Sequence, residues 1–190
     1  MRSAMMGAMA GWREADQASN RVLGTAGDDA SASRGLALAA LERLTADELE
    51  QAAFERLRDP AAEEEVRLPS RPESAGIARR LVVAVLRAWE LVHQRDAGEL
   101  LAGELVANAV RHAGGRTVGL KMARRPGWVR IEVRDSSRAL PCMIVAAERG
   151  GAENGHGLVL VDAVSDRWGA DLLPRGKSVW CELRVRERAA

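Results

Sequence analysis

The sequence predicts an α+β fold, a two-layer α/β sandwich in which helices cover one face of a mixed, mostly antiparallel sheet. Three observations carry this expectation. Helical periodicity occupies residues 36 to 57, 77 to 89 and 96 to 113 and a short run at 158 to 165, whereas two-residue alternation occupies residues 117 to 134 and 166 to 185. The alternating runs fold back across Arg125-Pro-Gly127 and Pro174-Arg-Gly176, which are hairpin-type connections. The order is strand, helix, helix, strand, strand, loop, helix, strand, strand, and helices segregated from such a sheet stack against it in a second layer.

Residues 1 to 33 mix Ala, Ser, Gly and Asp without periodicity and read as a disordered N-terminus. Its first ten residues resemble a signal peptide, but the apolar stretch is short and Trp12-Arg13-Glu14 follows at once. Residues 34 to 62 form a helical extension, with a break near Thr45; Thr45 and Glu48 make a capping-box pattern. Nothing in this segment carries recognisable chemistry, and packing on the core, dimerisation and partner binding all remain open for it. Asp59-Pro60 closes the extension, and a compact domain spans residues 63 to 190.

Within that domain Val66-Arg-Leu68 is a strand ended by Pro69, and Ser70-Arg-Pro-Glu73 is a second capping box opening a helix. That helix places Ile77, Leu81, Val85, Leu86 and Trp89 on one side. Asp96-Ala-Gly-Glu99 reads as a third cap, and Gly114-Gly115 ends the helix that it opens. Two hairpins follow, separated by a loop-rich stretch from 135 to 157 in which residues 143 to 148 have the pattern of one helical turn.

Several function classes are excluded by composition. The 28 basic and 27 acidic residues nearly cancel, and no dense Lys/Arg block occurs, so direct nucleic-acid binding has no electrostatic basis. Aromatic stacking platforms are absent from a chain with five Trp, one Phe and no Tyr. No run of about 18 apolar residues occurs to span a membrane. Cys142 and Cys181 have no metal-ligand spacing and fit a reduced, cytoplasmic setting.

The chemistry begins with Glu104 and Asn108, four positions apart inside an apolar helix pattern and therefore on one helix face. Asn is a poor interior helix former, and polar groups among Leu101, Leu105, Val106 and Ala109 are costly unless paired or used. A Glu able to accept a proton beside an Asn oxygen able to bind a hard cation suits magnesium-phosphate chemistry. Taken alone, the pair is better accounted for by a capped helix with an interhelical Glu–Asn hydrogen bond. Asp135 ends a strand, where its carboxylate either accepts from an exocyclic amino group or initiates the Asp-Ser-Ser turn. Asn154-Gly-His-Gly157 runs into a helix, where backbone N–H groups can meet an anion.

Two further patterns fail. Gly155-x-Gly157 lacks the third glycine of a dinucleotide fingerprint, and Gly176-Lys-Ser178 lacks the first glycine and the helix of a P-loop. His93 and His112 carry no catalytic arrangement, and a zinc site has too few ligands.

Glu104-Leu-Val-Ala-Asn108-Ala-Val-Arg-His112, Val133-Arg-Asp135, Gly155-His-Gly157-Leu-Val-Leu-Val161 and Gly176-Lys-Ser-Val-Trp180 resemble the ordered boxes of the GHKL ATPase superfamily. More narrowly they resemble its anti-sigma regulatory factor branch of serine/threonine kinases, over about residues 64 to 187. The resemblance implies a Bergerat-type ATP-binding fold with ATP and Mg2+ as cofactors. It implies Asn108 as the Mg2+ ligand, Glu104 as general base and Asp135 on the adenine amino group. Gly155, His156, Gly157 and Leu158 are implied at the phosphates, at the hinge of a lid over about residues 140 to 157, and Ser178 at the adenine side through water. The partners implied are a sigma factor and a STAS-domain anti-anti-sigma protein, with a homodimer among the assemblies it allows. Asp135-Ser-Ser137-Arg-Ala139 departs from the usual Asp-x-Gly-x-Gly, which predicts a reshaped adenine wall, and His156 stands where Arg is frequent. A non-catalytic ATP-gated binding module is the alternative function, and a detached histidine-kinase ATPase domain a third.

Overall fold

The computed structural model describes residues 45–114, 116–140 and 156–185. The expected disordered N-terminus, the first part of the helical extension, the helical turn at 143 to 148, most of the lid and Gly155 lie outside the described residues. In chain order the elements are α1 (Ala46–Leu57), β1 (Glu65–Pro69), α2 (Glu73–Ala88), a 3-10 turn (Val92–Gln94) and α3 (Arg95–Ala113). There follow β2 (Thr117–Arg125), β3 (Trp128–Asp135), α4 (His156–Val164), β4 (Arg167–Leu172) and β5 (Lys177–Arg184).

The five strands form one sheet in the order β1-β2-β3-β5-β4. Every described pair is antiparallel, so the mixed sheet of the sequence reading resolves to an antiparallel one. Alternation sorts the central strand: Val129, Ile131 and Val133 are buried, while Arg130, Glu132 and Arg134 point to the other face. Opposite them on β5, Leu183, Cys181 and Val179 share the buried face. Helix α2 lays Ile77, Ala78, Leu81, Val82, Val85 and Leu86 into that core. Helix α3 adds Leu101, Ala102, Leu105, Val106 and Ala109.

Helix α1 also enters this core, through Leu49, Ala53 and Leu57. Its N-terminus carries the expected capping box, with Thr45 N–H donating to Glu48 Oε2 at 2.9 Å and Glu48 N–H to Thr45 Oγ1 at 3.3 Å. Its C-terminal end is tied to α2 by Trp89, whose Nε1 donates to the Arg58 carbonyl at 2.8 Å.

The other two expected caps do not form. Pro72 precedes α2, and no side chain caps it. Ser70 instead spends its backbone N–H on the Arg116 carbonyl, continuing the pairing beyond β1, and Ser74 Oγ donates to the Pro69 carbonyl. Helix α3 grows directly from the 3-10 turn with Gln94 ahead of it, which leaves Asp96 in the first turn bound to Arg95 rather than at the cap. Gly114 ends α3 in the left-handed conformation, as expected.

The face of the sheet away from the helices is a ladder of charge. Glu132 takes Arg134 Nε at 2.8 Å and Ser178 Oγ at 2.7 Å, with Arg130 Nε at 3.6 Å. Arg130 also reaches Glu182 and lies 4.0 Å from the Trp180 ring centroid, while Arg167 and Arg184 flank Trp128. Burial pushes the Glu132 carboxyl up, but the charges of Arg134 and Arg130 and the Ser178 and Arg134 hydrogen bonds outweigh it, and the net shift is downward.

A carboxyl depressed in the folded state contributes stability that is present above its ordinary value of 4.5 and fades as pH falls toward the lowered value. Denaturation followed from about pH 7 down to pH 3 is therefore expected to show a steeper acid loss in the native chain than in Glu132→Gln. A second expectation concerns the β4–β5 turn. Gly176 has φ +96°, and a Cβ there would overlap the Asp135 carbonyl oxygen; Gly127 has φ +75° but open space around it. In urea unfolding, Gly127→Ala should cost about 1 kcal/mol from backbone strain alone, and Gly176→Ala more than about 2 kcal/mol.

Candidate nucleotide site

Helix α3 presents Glu104 and Asn108 half-buried on one face, one turn apart. The structural hydrogen bond between them is not made, and among the described residues neither side chain has a hydrogen-bond or ion-pair partner. No polar side-chain atom among the described residues is both sealed from solvent and unpartnered. The Glu104 and Asn108 oxygens therefore open onto accessible space, where a ligand can reach them.

Helix α4 brings its first turn to the same place. A Cβ built on Gly157 would lie 2.7 Å from Glu104 Oε2, so the absent side chain is what lets the carboxylate rest against the α4 backbone. Leu158 is buried, which leaves only its backbone to face a phosphate. His156 starts α4, and its side chain, like Gly155, lies outside the description.

Asp135 closes β3 on the helix side of the sheet, following the alternation of Ile131 and Val133. Its Oδ1 accepts from Ser137 N–H at 2.8 Å, the turn-initiating bond, and from Lys177 Nζ at 3.0 Å. Both members of this ion pair are buried, with side chains only 5% and 1% exposed for Lys177 and Asp135. The two residues are direct register partners across β3 and β5.

Ser178 does not share this site. Its register partner is Arg134, and its hydroxyl donates to Glu132 on the opposite face of the sheet. One step along a strand changes the face, so the place beside Asp135 belongs to Lys177. Lys177 lies within the Gly176-Lys-Ser-Val-Trp180 box, where the resemblance points to Ser178. The available signal was alternation: Lys177 keeps step with Val179, Cys181 and Leu183.

The donor set suits a phosphate-bound cation better than a protein-held one. Among the described residues no group of three or more His, Cys, Asp or Glu could hold a metal. One open oxygen donor, such as that of Asn108, is enough for Mg2+ when phosphates and water fill most of its shell. Cys181 is no competitor for chemistry, since burial pushes its thiol up to about 12. Among the described residues no helix is long and apolar enough to cross a membrane.

Comparison with known proteins agrees with this geometry. Residues 68–182 match the model of the histidine kinase-like ATPase domain. No curated protein matches the chain significantly. The matched span is more than half of the chain and holds Glu104, Asn108, Asp135, Gly157 and Lys177 alike. By that match, on an antiparallel sheet covered by helices on one side, the chain belongs to the histidine kinase-like ATPase domain family and carries its ATP-binding fold.

Proposed function

We propose that the protein is an ATP-dependent anti-sigma regulatory factor, a cytoplasmic serine/threonine kinase acting on a STAS-type anti-anti-sigma partner and releasing or holding a sigma factor accordingly. The observation that carries the reading is the pair of open oxygen donors, Glu104 and Asn108, with Glu104 seated against Gly157 at the first turn of α4. The four ordered boxes of the sequence support the anti-sigma branch.

Phosphoryl transfer asks a protein for positioning and charge neutralisation more than for covalent chemistry. Asn108 is the residue to hold Mg2+ through its side-chain oxygen, and the ion, when bound, would neutralise phosphate charge. On this reading Glu104 orients a partner's hydroxyl and takes its proton. In the transfer the hydroxyl oxygen bonds to the γ-phosphorus, the bond from that phosphorus to the bridging oxygen breaks, and ADP leaves with the electron pair. The backbone around Gly157 offers N–H groups of a helix start to the phosphates.

A second reading keeps ATP and drops transfer, leaving a nucleotide-gated binding module. It is favoured by the Asp135 turn, which has no glycine and whose carboxylate is already engaged by Lys177. A detached histidine-kinase domain has less support, because His93 and His112 are exposed positions on a 3-10 turn and a helix end inside the domain.

Asn108→Ala is expected to weaken Mg-ATP binding about tenfold or more in calorimetric titration, and undiminished affinity would remove the site assignment. Glu104→Gln is expected to keep ATP affinity within about threefold while slowing phosphate transfer to a STAS protein by about 10²-fold or more. Transfer by Glu104→Gln at the native rate would exclude Glu104 as base. Failure of the native protein to phosphorylate any STAS protein while binding ATP would favour the gated module.

A further inference from the structure

The two edges of the sheet are finished differently. Helix α1 packs along β1 at one edge. At the other edge β4 pairs, among the described residues, on one side only, with β5. Leu173 N–H donates to the Gly176 carbonyl at 3.1 Å, and Val185 N–H to the Gly127 carbonyl at 2.9 Å. The second bond turns Leu183, Cys181 and Val179 toward β3, which leaves the backbone groups of Glu182, Trp180 and Ser178 for β4. Arg167, Gly169 and Asp171 are their register partners, in step with Leu173. The N–H and C=O groups of Trp168, Ala170 and Leu172 therefore point away from the sheet, and among the described residues they have no backbone partner.

Apolar side chains flank this open backbone. Trp168, Ala170 and Leu172 stand on the helix side, opposite Cys181, Val179 and Lys177. Trp168 and Ala170 lean on the core, while Leu172 is 52% exposed. Asp162 of α4 accepts from Trp168 Nε1 at 2.8 Å, so that side of α4 overlooks β4. Val159, one turn earlier on the same side, is 41% exposed. An open edge with apolar flanks recruits another strand unless charge blunts it. Here the charges near the two ends of β4 have opposite signs, Arg167 and Asp171, and both are exposed.

We propose that β4 is the docking surface for β4 of a second copy of this chain, the two strands pairing antiparallel about a twofold axis at Ala170. In that register Ala170 meets its own counterpart, and Trp168 meets Leu172 of the second copy. Every outward N–H and C=O of the three residues then gains a partner, and the most exposed apolar side chain of the edge is covered by an indole. Each Arg167 lies on a diagonal from Asp171 of the second copy, within reach of a long side chain. One sign of charge at both ends would set like charges together; opposite signs make the strand complementary to itself, as an isologous interface requires. None of these residues belongs to the nucleotide site, so the dimer does not depend on the ATP reading.

Sedimentation equilibrium of the full chain is the test. The native chain is expected to dimerise with a dissociation constant on the order of micromolar. Ala170→Pro removes the outward N–H at the axis, which the ladder to β5 does not use, and should weaken the dimer about tenfold or more. Leu172→Lys should weaken it comparably. Leu160→Lys alters an exposed apolar residue on the other side of α4 and should leave it unchanged. The two lysine variants decide the matter even if Ala170→Pro unfolds. A native chain that stays monomeric up to about 200 μM would overturn the proposal. So would a dimer that survives Leu172→Lys or a folded Ala170→Pro, or one that Leu160→Lys weakens as much as Leu172→Lys.

Discussion

Gly176 touches the end of β3 so closely that its missing side chain is a condition of the fold. With that turn pinned on Asp135, β5 can pair with β3 in one register, and the register assigns each residue of β5 to a face. Lys177, Val179, Cys181 and Leu183 go to the helices; Ser178, Trp180, Glu182 and Arg184 go to the other side. A slip by one residue would turn Glu182 and Trp180 into the core and expel Cys181 and Leu183. It would also separate Lys177 from Asp135, leaving two buried charges uncompensated. Removing one partner of such a pair costs about 3 to 5 kcal/mol, which is a large share of a domain's stability. Core packing and the buried Asp135–Lys177 pair are thus secured by one geometrical fact.

The face away from the described helices keeps its charges by pairing them. Glu132 and Glu182 are buried there. Among the described residues, Arg130 spreads across Trp180, and Arg67 and Arg134 share Glu65. Long arginine stems and indole rings supply apolar cover while guanidinium groups stay at the water boundary. Ser178 belongs to this assembly. Its hydroxyl helps to hold Glu132 ionised, a role unconnected with the nucleotide end of the domain.

Much of this was legible in the sequence where a local pattern decides the outcome. The periodicity of α2 and α3, the alternation of β2, β3 and β5, and the two turns all survive because each is set by burial of one face. The Thr45 cap was legible because nothing else competes for its side chain. Ser70 and Asp96 look like caps by spacing, but tertiary partners take them first: the Arg116 carbonyl claims the Ser70 N–H, and a 3-10 turn feeds α3 before Asp96 is reached. At the site, Glu104 and Asn108 could be paired on the i, i+4 rule alone, because both lie on one helix. Asp135 and Lys177 lie 42 residues apart, and only the register between two strands brings them together.

The two ends of the site treat their polar groups differently, and this difference bears on how a nucleotide would act on the protein. At the end of β3 Asp135 and Lys177 satisfy each other's charge without any ligand. At the phosphate end Glu104 and Asn108 stay unpartnered among the described residues, and keep their solvation by remaining half-exposed. Rigid pairing at one end lowers the ordering cost of any binding there. Open donors at the other end gain new partners only when phosphate and cation come, so that is where binding free energy would accumulate. A ligand that binds only the folded state stabilises it by mass action. The gain would fall mainly on the contact between α3 and α4, the seam where Glu104 meets Gly157. A seam tightened by nucleotide and loosened by its loss is the physical requirement for a partner-binding surface that responds to ATP.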